Sequence, residues 1–300
     1  MTWLIFNAFI VVLLALDLAV VNRRPHAVTA RQALVWSIFW VALSLSVNLL
    51  IWAERGHDDA VDFFTCYVLE KSLSADNLFL FAVIFTSLGV VPELQHRVLY
   101  WGAMAAVVLR GTFIVAGTQL VQHFHWVLYV FAGFLLFTGL RMLLGTQKKF
   151  DPRSNPLLRV AQKCLPISDH FEGAKFFTRS GGRWLATPLL LALIVVEVVD
   201  IAFTVDSIPA MFAVTEDAFI IYASNILAVL GLRSFYFLLA SAIARFRLLH
   251  TGLAIILILV GAKMVAAKWV HVPNIFALAA IVAVLAVTML ASVLTEKTTR

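Results

Sequence analysis

Long apolar runs, separated by short polar segments, make up most of the chain. Each run has the length that a helix needs to cross the bilayer core, which is about 20 residues for a moderately tilted helix. The pattern therefore predicts an all-α polytopic membrane protein. The predicted spans are nine, over residues 3–21, 34–53, 63–87, 98–121, 125–144, 186–206, 218–243, 250–267 and 273–294.

The composition agrees with a membrane protein, since 62% of the 300 residues are hydrophobic and only 13% are charged. A soluble domain has about 25% charged residues. The net charge of +6 does not indicate nucleic-acid binding, because excess Lys and Arg in such proteins reflects loop topology. The two cysteines, Cys66 and Cys164, form no C-x-x-C motif, so neither a disulfide nor a thiolate metal site is predicted.

Basic residues are concentrated in alternate loops. The loop at 145–185 contains eight of them, whereas the second and eighth loops contain only Arg55 and Lys268. The positive-inside rule then predicts that the N-terminus lies outside and the C-terminus in the cytoplasm. The loop at 145–185 is interpreted as a cytoplasmic linker with a few short surface helices.

The two halves of the chain resemble each other, which predicts an internal repeat. EKSLSADN in the third span places Glu70 and Asp76 six residues apart, and DIAFTVDS in the sixth does the same for Asp200 and Asp206. Two further similar segments follow in the same order in each half. They are LRGTF and then GLRM in the first half, and LRSFY and then GAKM in the second. The third and sixth spans run in opposite directions, so the repeat is inverted, as in many transporters.

The repeat divides the chain into five predicted segments. Two three-helix units, at 63–144 and 186–267, flank the cytoplasmic loop at 145–185. The remaining spans are predicted to be peripheral. They are spans 1 and 2, within 1–62, and the ninth span with its cytoplasmic tail, within 268–300. In this plan the substrate site lies near the membrane midplane, between the two units.

Carboxylates within the spans are the candidate functional groups. A carboxylate at the bilayer centre costs roughly 2.5–3.5 kcal/mol on insertion scales, so several of them indicate a polar cavity. Lys71, Arg110 and Arg233 are predicted to pair with these charges or to act as gates. The predicted metal ligands are Glu70, Asp76, Asn77, Glu197, Asp200 and Asp206, with Ser207 and Asn225 as secondary candidates.

Carboxylate and amide oxygens are hard ligands that suit manganese, calcium or magnesium. No His or Cys is adjacent to these acids, which argues against zinc or copper. Metal binding to protonated carboxyl groups releases protons, so exchange of a metal ion for protons is a natural mechanism.

The spacing of the acids limits the geometry of the predicted site. Residues six apart on an ideal helix differ by about 240° of rotation and 9 Å of rise. Either the cavity wraps around the helices or each helix breaks between its acids. Pro209 and the polar Ser72 and Ser74 favour a break.

The segments EKSLSADNLFLF and VEVVDIAFTVDSIPA resemble the TerC family of integral membrane proteins, in its Alx-like branch. Further similar segments are SNILAVLGLRSFYFLLA in the seventh span and VGAKMV in the eighth. The resemblance implies export of manganese, or another divalent cation, across the bacterial inner membrane. The older label of this family is tellurium resistance, and the resemblance also implies a relation to LysE-type exporters. The family's acidic motif corresponds to Glu70, Asp76, Glu197, Asp200 and Asp206, whereas Lys175 stands where relatives are expected to have His.

The leading hypothesis is a secondary transporter that exports manganese in exchange for protons, with calcium as the alternative substrate. Its expected partners are the cation, protons and the lipid bilayer, with no permanently bound cofactor and no nucleic acid. An intramembrane aspartyl protease is disfavoured, because the Gly-x-Gly-Asp and Tyr-Asp signatures are missing, and no enzymatic activity is expected. The alternative is a non-transporting membrane partner that senses manganese or helps to load it into secreted proteins.

Overall fold

The computed structural model describes residues 2–21, 29–145, 166–168, 171–180, 183–239, 248–270 and 272–298. These residues form nine helices and one β-hairpin, and each helix covers one predicted span. The helices are α1 (Thr2–Val21), α2 (Ala30–Arg55), α3 (His57–Ser87), α4 (Pro92–His123), α5 (Val127–Leu144), α6 (Pro188–Phe212), α7 (Ala218–Leu239), α8 (Leu249–Ala266) and α9 (Asn274–Thr298); the strands are β1 (Phe177–Ser180) and β2 (Arg183–Ala186).

Seven of these helices, α2 and α4 to α9, are long and apolar enough to cross a membrane. In α1 the apolar helix found within the described part is shorter, Trp3–Leu16. The other exception, α3, carries charged residues in its first two thirds, including Glu70 and Lys71 near its middle. The charges that interrupt this helix are therefore part of the predicted site, and the all-α membrane fold is confirmed.

The core of the bundle is formed where α3, α4, α6 and α7 meet. Helix α3 packs against α6 and α7, and α4 packs against the same two helices. Outside this group, α5 packs along α8, α2 lies against α7 and α3, and α9 contacts α3 and α8. Arg110, Asn225 and Glu70 are almost fully buried in this core, so charged side chains lie at the centre of the bundle.

Helices α3 and α6 are continuous through their acids, so the predicted helix breaks are wrong. Pro209 lies in the last turn of α6, where its missing N–H removes a single helical hydrogen bond. The Ser72 hydroxyl donates to the Val68 carbonyl at 2.6 Å, which satisfies this polar group within an intact helix. In α6, Asp200 and Asp206 therefore lie on different sides of a continuous helix and line different cavities.

The described part of the loop at 145–185 contains a β-hairpin, which the sequence interpretation did not predict. Strands β1 and β2 pair antiparallel, with Phe177 opposite Ala186 and Ser180 opposite Arg183. Lys175 precedes the hairpin and forms an ion pair with Glu172 at 2.8 Å. Residues 146–165, with most of the predicted basic cluster, lie outside the described residues.

Two glycines permit the close approach of α5 and α8. A Cβ atom on Gly139 would lie 2.7 Å from the Ile258 side chain and 2.9 Å from the Ala254 carbonyl oxygen. On the facing helix, a Cβ atom on Gly261 would lie 3.1 Å from the Ala132 carbonyl oxygen. These are the glycines of the GLRM and GAKM segments, so each of these two similar segments packs against the helix that carries the other.

Gly139→Ala is expected to destabilise the protein by about 1–3 kcal/mol, because the new methyl group overlaps backbone as well as side-chain atoms of α8. The measurement is the melting temperature of the purified protein in detergent. Gly133→Ala in the same helix is the matched control, since its Cβ would meet no atom within 4 Å. Equal melting temperatures for the two variants would contradict the close packing.

Candidate functional site: a buried charge cluster between two cavities

The centre of the site is Arg110, a fully buried residue of α4. Its guanidinium holds Asp200 of α6 with two hydrogen bonds, from Nη2 at 2.8 Å and from Nε at 3.2 Å. Its Nη1 donates to Glu70 of α3 and to Asn225 Oδ1 of α7, the latter at 3.2 Å. Bidentate arginine–carboxylate pairs are strong and geometrically specific, so this one side chain connects all four core helices.

Both carboxylate oxygens of Glu70 have partners. Ser74, one turn further along α3, donates to Oε1 at 2.9 Å, and the Asn225 amide donates to Oε2 at 3.2 Å. The cluster contains one guanidinium and two carboxylates, so with both acids ionised its net charge is negative. Lys71, the next residue along α3, is attracted electrostatically to Glu70.

A cavity adjoins Glu70 on one side of the cluster. We call it the Asp206 cavity; its empty volume is about 390 Å³. Asp206 is partly buried and has no hydrogen bond or ion pair to the described residues. Asn77 Oδ1 and Ser207 Oγ are buried and likewise without a described hydrogen-bond partner. The lining residues are Glu70, Leu73, Ser74, Asn77, Met142, Phe203, Asp206, Ser207, Leu253 and Leu257.

A second, small cavity is lined by Glu197, Asp200 and Arg233 among mainly apolar side chains. Glu197 lies against α4, since a Cβ on Gly102 would be 2.9 Å from its Oε1. Its other oxygen, Oε2, is buried without a hydrogen-bond partner in the described part of the chain. The guanidinium of Arg233 lies over the Tyr100 ring, 5.6 Å from its centre, in a cation–π contact.

The predicted ligands are thus distributed over two cavities. Glu70, Asn77, Asp206 and Ser207 surround the first, while Glu197 and Asp200 face the second. The side chain of Asp76 lies outside the described residues. Among the described residues, no group of three His, Cys, Asp or Glu is arranged so that it could hold a metal ion.

Lys71 points away from both cavities, towards α2 and α7. Its ammonium nitrogen lies 5.8 Å from the ring centres of Tyr67 and Phe235. A Cβ on Gly231 would lie only 2.6 Å from this nitrogen, so the glycine makes room for it. Lys71 therefore contacts aromatic rings rather than the carboxylates of the cluster.

The sequence interpretation took Ser74 as a sign of a helix break, whereas in the structure Ser74 donates a hydrogen bond to Glu70. Its spacing of four residues from Glu70 places both on one helix face, and this was the available signal. The interpretation also gave no role to Asp62, Lys263 and Asn274, which form a polar network at one end of the bundle.

Comparison with known proteins agrees with this architecture. Residues 55–300 match the family described as the integral membrane protein TerC family. The chain is 44% identical to an uncharacterized membrane protein of Myxococcus xanthus over 98% of this chain and 92% of that protein. It is 41% identical to Alx of Escherichia coli strain K12, which is named as a candidate membrane-bound redox modulator, over 96% of this chain and 92% of that protein. No solved structure matches it.

The fold and the site define a polytopic, all-helical membrane protein with a charge cluster buried between its central helices. The family match covers most of the chain, and the relatives are similar over nearly their whole length. The chain belongs to the TerC family of integral membrane proteins, and its relatives include the Alx proteins.

Proposed function

We propose that this protein is a secondary transporter that exports manganese(II) across the bacterial inner membrane in exchange for protons. The observation that carries the proposal is a pair of buried oxygens, Asn77 Oδ1 and Ser207 Oγ, that have no hydrogen-bond partner among the described residues and lie beside the carboxylates of Glu70 and Asp206. Buried polar atoms nearly always have a hydrogen-bond or ligand partner. Two carboxylates, an amide and a hydroxyl offer a hard divalent cation the ligands it prefers.

The charges of the cluster favour the same ligand. Arg110 can neutralise only one of Glu70 and Asp200, and Asp206 has no cationic partner among the described residues. A divalent cation in the Asp206 cavity offsets the remaining negative charge. When the cation leaves, an unpaired carboxylate in an apolar surround is costly, and uptake of a proton removes that cost. This gives a physical basis for coupling metal movement to proton movement.

Alternating access is supported by the position of the two cavities on either side of Arg110. The Asp206 cavity contains residues of α3, α5, α6 and α8, whereas the second contains residues of α3, α4, α6 and α7. Inverted-repeat transporters move one unit against the other around a central site. In that mechanism Arg110 lies at the contact between the units, where it separates the two cavities.

The test is metal-dependent transport by the purified protein in proteoliposomes, with manganese, calcium, magnesium and zinc compared with and without a proton gradient. We expect manganese flux that depends on the gradient and is accompanied by opposite proton movement, read with a lumenal pH dye. Manganese binding without flux in sealed, protein-containing liposomes would contradict transport. It would favour the alternative, a membrane partner that senses or loads the metal.

A further inference from the structure

A second set of oxygen ligands surrounds Lys263, near the end of α8. Its ammonium group donates a hydrogen bond to Asn274 Oδ1 at the start of α9, and another to the Ala213 carbonyl oxygen at 3.2 Å. The Asn274 amide group in turn donates to the Asp62 carboxylate of α3, and to the Val214 carbonyl oxygen at 2.9 Å. One network therefore connects the ends of α3, α6, α8 and α9.

The chemistry of this network is that of a cation site. Thr215 also lies within hydrogen-bonding reach of Asp62. The group therefore includes one carboxylate, one amide, one hydroxyl and two backbone carbonyls. Such a mixed set of oxygens is typical of calcium and manganese sites. The positive charge at this position is supplied by Lys263, whose ammonium group is attracted electrostatically to Asp62.

The network lies between the central site and a larger cavity. That cavity has an empty volume of about 1070 Å³, and its lining includes His125, Thr215, Glu216, Lys263 and Asn274. The loop charges predict that this end of the bundle faces outwards. On α3, Asp62 precedes Glu70 by eight residues, which corresponds to a rise of about 12 Å and a rotation of about 80° around the helix.

We propose that Asp62, Asn274, Thr215 and the carbonyls of Ala213 and Val214 form a second, exit-side binding site for a divalent cation. The ammonium group of Lys263 is its built-in competitor. This proposal rests on the proposed transport function, and it assigns the site a role in release. A cation that leaves the Asp206 cavity displaces Lys263 from these oxygens, and the return of Lys263 then expels the cation into the outer cavity.

The test is an equilibrium titration of purified protein in detergent, which measures the number of manganese ions bound per chain. All variants in the test keep Asp206. Lys263→Met removes the competing charge but keeps the apolar stem, and it is expected to bind one additional manganese ion per chain. Lys263→Gln, which keeps a hydrogen-bond donor, is the second neutral variant and is expected to show the same gain. Lys263→Arg keeps the cation and is the matched control without a gain.

Adding Asp62→Asn to either neutral variant is expected to remove the additional ion. The proposal is overturned if no additional manganese binds to the folded neutral variants, or if the additional ion persists when Asp62→Asn is present. Because this readout is stoichiometry rather than flux, its failure is distinct from failure of the transport proposal. Failure of the transport proposal is recognised by the absence of manganese flux in the wild-type protein.

Discussion

Arg110→Met is expected to reduce the amount of folded protein in the membrane severely. The substitution leaves Glu70 and Asp200 buried without their shared cation. Breaking a buried ion pair by removing one partner costs about 3–5 kcal/mol, while native proteins are stable by only about 5–15 kcal/mol. The measurement is fluorescence-detected size-exclusion chromatography of a fusion protein, together with the melting temperature of the surviving fraction.

Two controls separate the loss of pairing from the loss of the side chain itself. Arg141→Met removes an exposed arginine of α5 and is expected to change stability by no more than about 0.5 kcal/mol. The triple variant Arg110→Met, Glu70→Gln, Asp200→Asn removes the buried charges together, and it is expected to recover much of the lost stability. An Arg110→Met protein as stable as the wild type would contradict the role of Arg110 as the central counter-ion.

Asp206→Asn is expected to lower manganese transport by roughly tenfold or more, since even outer-shell substitutions at metal sites cost 10–100-fold in affinity or activity. Folding should be little affected, because Asp206 forms no ion pair or hydrogen bond with the described residues. The expected result is thus a normal yield of folded protein with little flux. The measurement is initial manganese flux in proteoliposomes, normalised to the amount of incorporated protein.

Asp58→Asn is the matched control, because it makes the same chemical change at a fully exposed carboxylate near the start of α3. It should retain wild-type flux. Normal manganese flux in folded Asp206→Asn protein would remove Asp206 from the proposed site. A comparable loss of flux in both variants would indicate a general charge effect instead of a ligand role.

The sequence alone determined the membrane class and the positions of the helices. Both could be predicted because a helix that crosses the bilayer needs a certain length and an apolar composition. Apolar runs of that kind can be counted directly in the sequence. The intramembrane acids were recognisable for a related reason, since a charge within an apolar run is expensive wherever the helix lies. Glu70 and Asp206 were therefore identified before any contact was known.

Only the tertiary structure decided how these groups are arranged. Arg110 lies between Glu70 and Asp200, which are 40 and 90 residues away in sequence, and no local pattern specifies which helix faces meet. The expected helix breaks at the acids were wrong, because packing of α6 against several helices lets Asp200 and Asp206, on different faces of one continuous helix, reach different cavities. Lys263 and Asp62 likewise acquired a common role only through folding, because both contact Asn274, a residue at the start of a third helix.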